Sequence, residues 1–114
     1  MAKVSILETL KDEILKKFKE ESKIIFRQMY SLKENPHKGK PLGHVAGIVI
    51  KELKYKKFRF YFITDGHEIR VMDKSKLVDL LIRFVRMSDK KDQQETIEEI
   101  RKILLKFGPE RFDE

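Results

Sequence analysis

The sequence predicts a small α+β domain: one antiparallel sheet with an N-terminal helical pair on one face and a closing C-terminal helix. Three observations carry that prediction. Residues 57–63 alternate strictly, with Phe58, Phe60 and Phe62 on one side and Lys57, Arg59, Tyr61 and Ile63 on the other. Helical periods precede and follow this strand, at Leu7, Leu10, Ile14, Leu15 and Phe18 and again at Ile97, Ile100, Ile103 and Leu104. Finally, the 114 residues hold no repeat, low-complexity tract or linker, so residues 1–114 read as a single domain with one modest core.

Taken in order, Lys3 to Glu8 is a short β-compatible opening with Val4 and Ile6 on one face. The first apolar stripe is interrupted by Lys19-Glu20-Glu21-Ser22, where Ser22 is placed to cap a new helix. Ile25, Met29 and Leu32 continue on one face, which predicts helices over about 9–20 and 22–33. Pro36, Gly39 and Pro41 then make residues 34–41 a helix stop and loop. Val45 to Ile50 is rich in β-branched residues and suits a buried strand running on to Leu53. Tyr55-Lys56-Lys57 is a tight connection into the alternating strand.

The Asp65-Gly66 pair predicts a turn after Thr64, and residues 67–72 suit a further short strand. Leu77 to Met87 is ambiguous between helix and strand; its β-branched and aromatic content favours a central strand. Ser88 to Lys91 is a charged turn. Asp92, followed three residues later by Glu95, marks the N-cap of the last helix, and Gly108-Pro109 ends it. Residues 110–114 are expected to fray or to meet a partner.

Composition narrows the function classes. No apolar run approaches the ~20 residues that span a bilayer, and no signal-peptide layout opens the chain, so a cytoplasmic protein without membrane contact is expected. The absence of cysteine excludes disulfides, thiol nucleophiles and zinc–cysteine sites. His37, His44 and His67 lack the spacing of a metal pair, so neither a metal nor a cofactor is expected. Charged residues make up 39% of the chain and amides are few, a balance that suits a thermophile. The excess charge is local. Lys33 to Arg59 holds eight basic and two acidic residues, nearly the whole formal excess of +7. A concentrated excess of this kind suits a polyanionic partner.

The motifs Leu32-Lys33-Glu34-Asn35-Pro36, Gly39-Lys40-Pro41-Leu42-Gly43, Lys51-Glu52-Leu53-Lys54, Phe58-Arg59-Phe60-Tyr61-Phe62 and Phe84-Val85-Arg86, in that order, resemble the RelE/ParE toxin superfamily, in particular its HigB-like and phage-derived branch. The resemblance implies the toxin of a type II toxin–antitoxin system, neutralised by a cognate antitoxin protein. It implies an mRNA interferase: a metal-independent endoribonuclease that acts on messenger RNA, commonly on the ribosome, with the substrate's 2′-hydroxyl as the attacking group. ParE-like relatives instead act on a protein target, DNA gyrase. By position, Arg59 matches the family's phosphate-binding strand arginine, Lys54 its basic position before the hairpin, and Arg83 or Arg86 its second strand cation. The chain departs from the pattern where two family lysines fall on Ile50 and Glu52, and where the C-terminal helix and tail carry no tyrosine.

Cleavage through a 2′-oxygen needs a base, cations for the developing phosphate charge, and an acid for the leaving oxygen. The sequence offers Arg59 with Arg83 or Arg86 as cations, Lys54 or Lys51, or His37 or His44, as base, and Tyr61 as acid on an open sheet face beside Arg59. Lys38, Lys40, Lys51, Lys56, Lys57, Lys90 and Lys91 are the candidate nucleic-acid contacts. Each has a plainer reading beside it. Lys54, Lys56 and Lys57 suit a solvated hairpin tip, Tyr61 cross-strand packing, the two histidines ordinary loop positions, and Glu52 an ion pair with a basic neighbour. A non-catalytic protein-binding domain and a plain RNA-binding domain remain the alternatives.

Overall fold

The computed structural model describes residues 3–45, 47–64 and 81–112. The protein is α+β, with a five-stranded, mostly antiparallel sheet of order β1-β5-β4-β3-β2. The strands are β1 (Lys3–Ile6), β2 (Lys40–Val45), β3 (Ile48–Tyr55), β4 (Phe58–Thr64) and β5 (Leu81–Asp89). Helices α1 (Glu8–Phe18) and α2 (Ser22–Tyr30) follow β1, and α3 (Gln93–Phe107) follows β5. Among the described residues the one parallel pairing joins β1 to β5, with Val4 opposite Ile82 and Ile6 opposite Phe84. Among the described residues no helix is long and apolar enough to cross a membrane.

The predicted helical pair is present, joined by a 3-10 turn over Lys19–Glu21. Ser22 does not cap α2. Its hydroxyl is buried and donates to the Ile14 carbonyl at 3.1 Å, tying the start of α2 to α1. The ambiguous segment before Ser88 is strand from Leu81 onward, and residues 77–80, the turn at 65–67 and the short strand at 67–72 lie outside the described residues. The long strand expected from Val45 is two strands. Gly47 adopts φ +86°, and the Val45–Ile48 pairing closes a hairpin there, so residues 40–45 turn back as the edge strand β2. Pro41 is tolerated because an edge strand need not offer every N–H to a neighbour.

Two cores result, one on each face of the sheet. Phe60, Phe62 and Phe84 pack with Leu10, Ile14, Ile25, Met29 and Leu32 under the helical pair, as the alternation predicts. On the other face Ile50, Tyr61, Ile63 and Val85 pack with Ile97, Ile100, Leu104 and Phe112. A bulge in β5 opposite Tyr61–Phe62 turns both Val85 and Arg86 towards α3. The open cationic sheet face expected from the sequence is therefore covered. The apolar stripe of α3 needed an apolar counterpart, and Ile50, Ile63 and Val85 supply it. Phe112, expected to fray, is buried in this second core on a 3-10 turn over Pro109–Phe112.

Candidate nucleic-acid interface: a cationic groove floored by Arg59

The polar end of the α3-covered face is where the chain's charge gathers. The β3–β4 hairpin turns on Lys56 and Lys57, with Lys56 at φ +54°, the positive value that a two-residue loop uses at a central position. Counting back from that turn puts Lys54 opposite Arg59 and Glu52 opposite Tyr61 on one face. β2 brings Lys40 opposite Glu52. The β5–α3 corner brings Lys90 and Gln93. Of these, Lys40, Glu52, Lys54, Arg59, Lys90 and Gln93, with Lys38, Gly39 and Leu53, line an open groove of about 600 Å³.

Arg59 and Glu52 form the floor. Arg59 Nε lies 3.1 Å from Glu52 Oε2, and both side chains are largely withdrawn from water, at 11% and 5% exposure. One Arg59 Nη donates to the Phe58 carbonyl at 3.2 Å. Gln93 Nε2, on the first residue of α3, donates to Glu52 Oε1 at 3.1 Å. Both carboxylate oxygens are thus occupied, as a buried charge requires. Around this floor stand Lys38, Lys40, Lys54 and Lys90, all exposed and none in an ion pair with a described residue. Five cations share the groove with one carboxylate, so it is an anion site in character.

Gly39 seats the lysine-bearing loop. With φ +106°, it approaches so closely that a Cβ would fall 2.7 Å from Phe62 Cζ. Lys51, on the opposite face, helps by donating to the His37 carbonyl at 3.1 Å while lying 5.8 Å from the Phe62 ring centre. Burial lowers its pKa, but its amine is committed to the loop and does not line the groove.

The other expected site residues are placed elsewhere. Tyr61 is fully buried and its hydroxyl bonds Ser88 Oγ at 2.7 Å. Since Ser88 Oγ gives its proton to the Asp89 carbonyl at 2.9 Å, Tyr61 is the donor in that pair. Burial raises its pKa. The tyrosine is cross-strand packing, and a group sealed from solvent cannot protonate a substrate in the groove. Arg86 binds Glu99 at 2.7 Å and the Val85 carbonyl at 2.8 Å, and its guanidinium lies 5.3 Å from the Phe112 ring, so it fastens α3 and the tail. Arg83 pairs with Ile63, at the other end of β4 from Arg59.

At the hairpin tip, Lys56 binds Glu21 at 2.6 Å, which raises its pKa, and Lys57 lies 5.8 Å from the Phe58 ring centre. Lys91, His37 and His44 are exposed and do not line the groove. Of the expected site, Arg59, Lys54, Lys38, Lys40 and Lys90 converge. Gln93 was missed, and Glu52 was read only as an ion-pair partner without its place in the site. Hairpin register could have found Glu52, because a two-residue turn at 56–57 sets it diagonally across from Arg59. Nothing local to the sequence marks Gln93. Among the described residues no three acidic or histidine side chains converge as metal ligands.

Comparison of the chain with protein-family models, with curated proteins and with solved structures returned no match.

Proposed function

We propose that this chain binds RNA in the groove at the β3–β4–α3 corner, as a toxin-type domain of the kind its motifs resemble. One observation carries the reading: four exposed lysines, with no ion-pair partner among the described residues, surround a groove floored by the buried Arg59. Exposed ammonium groups track a phosphate backbone without reading sequence, and a guanidinium held in place adds a directional phosphate contact. A cognate acidic antitoxin covering the same groove is the counterpart of this reading, with the ribosome as the setting in which messenger RNA is met.

Cleavage extends the proposal. The 2′-hydroxyl gives its proton to water, its oxygen attacks the adjacent phosphorus, the bond from phosphorus to the 5′-oxygen breaks, a 2′,3′-cyclic phosphate forms, and the 5′-oxygen leaves with a proton. In this reading Arg59 holds the charge that develops on phosphate; Lys54, paired directly opposite it, is an exposed amine beside it. With Tyr61 buried, the leaving oxygen takes its proton from water or from one of the rim lysines.

Incubating the purified protein with messenger RNA, with and without ribosomes, tests both levels. RNA affinity with new 5′-hydroxyl ends is the expected result, the affinity weakened and the ends lost in Arg59→Ala. Intact RNA with unchanged affinity in that variant overturns it. The protein-target alternative draws on Leu105 and Phe107, large apolar side chains exposed near the end of α3. Arrest of replication before translation on expression favours that reading; arrest of translation first favours RNA.

A further inference from the structure

We infer that Glu52 and Gln93 are positioning residues that aim Arg59 at a backbone phosphodiester, an inference that rests on the RNA-binding reading above. A guanidinium presents three nitrogens in one plane. In Arg59 the Nε is held by Glu52 at 3.1 Å and one Nη by the Phe58 carbonyl at 3.2 Å. Two anchors fix the plane. The side chain lines the groove, and the remaining Nη has no hydrogen bond to another described residue, so it is the nitrogen we assign to the ligand. Glu52 is itself held, since its second oxygen accepts from Gln93 at 3.1 Å. The chain of contacts therefore runs from the first turn of α3, through the sheet, to the phosphate donor. Such preorganisation spares the arginine the ordering cost that a free side chain bears on binding.

The inference has a sign that simple electrostatics does not share. Glu52 is the one carboxylate among the described residues of a cationic groove, so on charge alone its removal strengthens binding of an anion. A positioning role predicts the reverse. Gln93 sharpens the contrast because it is neutral: its truncation leaves the groove's charge unchanged while freeing Glu52. The rim lysines supply most of the salt-dependent part of the affinity, and the aimed arginine supplies a discrete contact, so the two are separable.

The experiment measures the affinity of a hydroxyl-terminated ten-nucleotide RNA, at several salt concentrations, for the wild type, Glu52→Ala, Gln93→Ala, Arg59→Ala and the two double variants with Arg59→Ala. Circular dichroism melts establish which variants are folded. Expected are a roughly 10-fold loss for Glu52→Ala and a roughly threefold loss for Gln93→Ala, with the wild-type salt slope kept. In the Arg59→Ala background neither substitution costs anything further. Equal or tighter binding by Glu52→Ala or Gln93→Ala, or losses that persist without Arg59, overturns the inference. If Glu52→Ala or Arg59→Ala does not fold, Gln93→Ala decides, measured alone and together with Arg59→Met and Glu52→Leu, where it costs nothing further. A wild type with no measurable affinity, or with the same affinity as Arg59→Ala, defeats the RNA-binding reading itself and this inference with it.

Discussion

Arg59 and Glu52 illustrate how one buried pair can be both a liability and a device. Withdrawing two charges from water is costly, and removing one partner leaves the other stranded. Arg59→Ala should therefore cost about 3–5 kcal/mol of stability, whereas Arg59→Met with Glu52→Leu should come close to the wild type, by denaturant unfolding. The double variant would then be a folded scaffold whose weakened RNA affinity comes from the rim lysines alone. Tyr61 makes the opposite case. Removing its hydroxyl in Tyr61→Phe should cost about 1 kcal/mol and leave RNA affinity unchanged. Burial holds its pKa above the ordinary 10.0. The stability this confers is fully present below pH 10.0 and is lost as pH rises through the higher folded value. Unfolding measured across that alkaline range should show a steeper decline in the wild type than in Tyr61→Phe. Period two told correctly which side of β4 Arg59 and Tyr61 share. It could not tell that α3 lies over that side, because a polar pair at one end of a strand looks the same whether the rest of the face is open or covered.

At the scale of elements, the site depends on a loop, a hairpin and a helix end arriving together. Gly39 governs the first of these. Gly39→Ala combines a left-handed φ with a 2.7 Å approach to Phe62, so it should destabilise the fold by more than about 1 kcal/mol. It should also weaken RNA binding, since Lys38 and Lys40 move with the loop. Thermal melts and RNA titration of the same preparation check the two effects together. Most elements were legible: both N-terminal helices, the Phe58–Phe60–Phe62 face, the β-rich segment before Ser88 and the Gly108 stop. The missed element was the Val45–Ile48 hairpin. A continuous β-branched run hides a reversal when the only local sign is Gly47, and a glycine within such a run reads equally as a bulge. That hairpin delivers Lys40 to the groove, so the site's outline was hidden with it.

For the molecule as a whole, the two covered faces decide where function can lie. Helices α1 and α2 seal one face and α3 the other, so the sheet is not a platform, and the cationic surface contracts to the corner where β3, β4 and the start of α3 meet. The local excess of charge seen in the sequence survives this contraction in part. Lys38, Lys40 and Lys54 reach the groove, whereas Lys51, Lys56 and Lys57 serve the loop and the hairpin tip. The most direct measurement of the central claim is the salt dependence of affinity for a short single-stranded RNA, comparing the wild type with a variant carrying alanine at positions 38, 40, 54 and 90. Four lysine–phosphate contacts and the Arg59 contact predict a slope of log affinity on log salt of about −3.5 for the wild type, falling to about −0.7 in the variant while its melting curve is kept. A wild-type slope near zero, or a variant that binds RNA as the wild type does, would contradict the account.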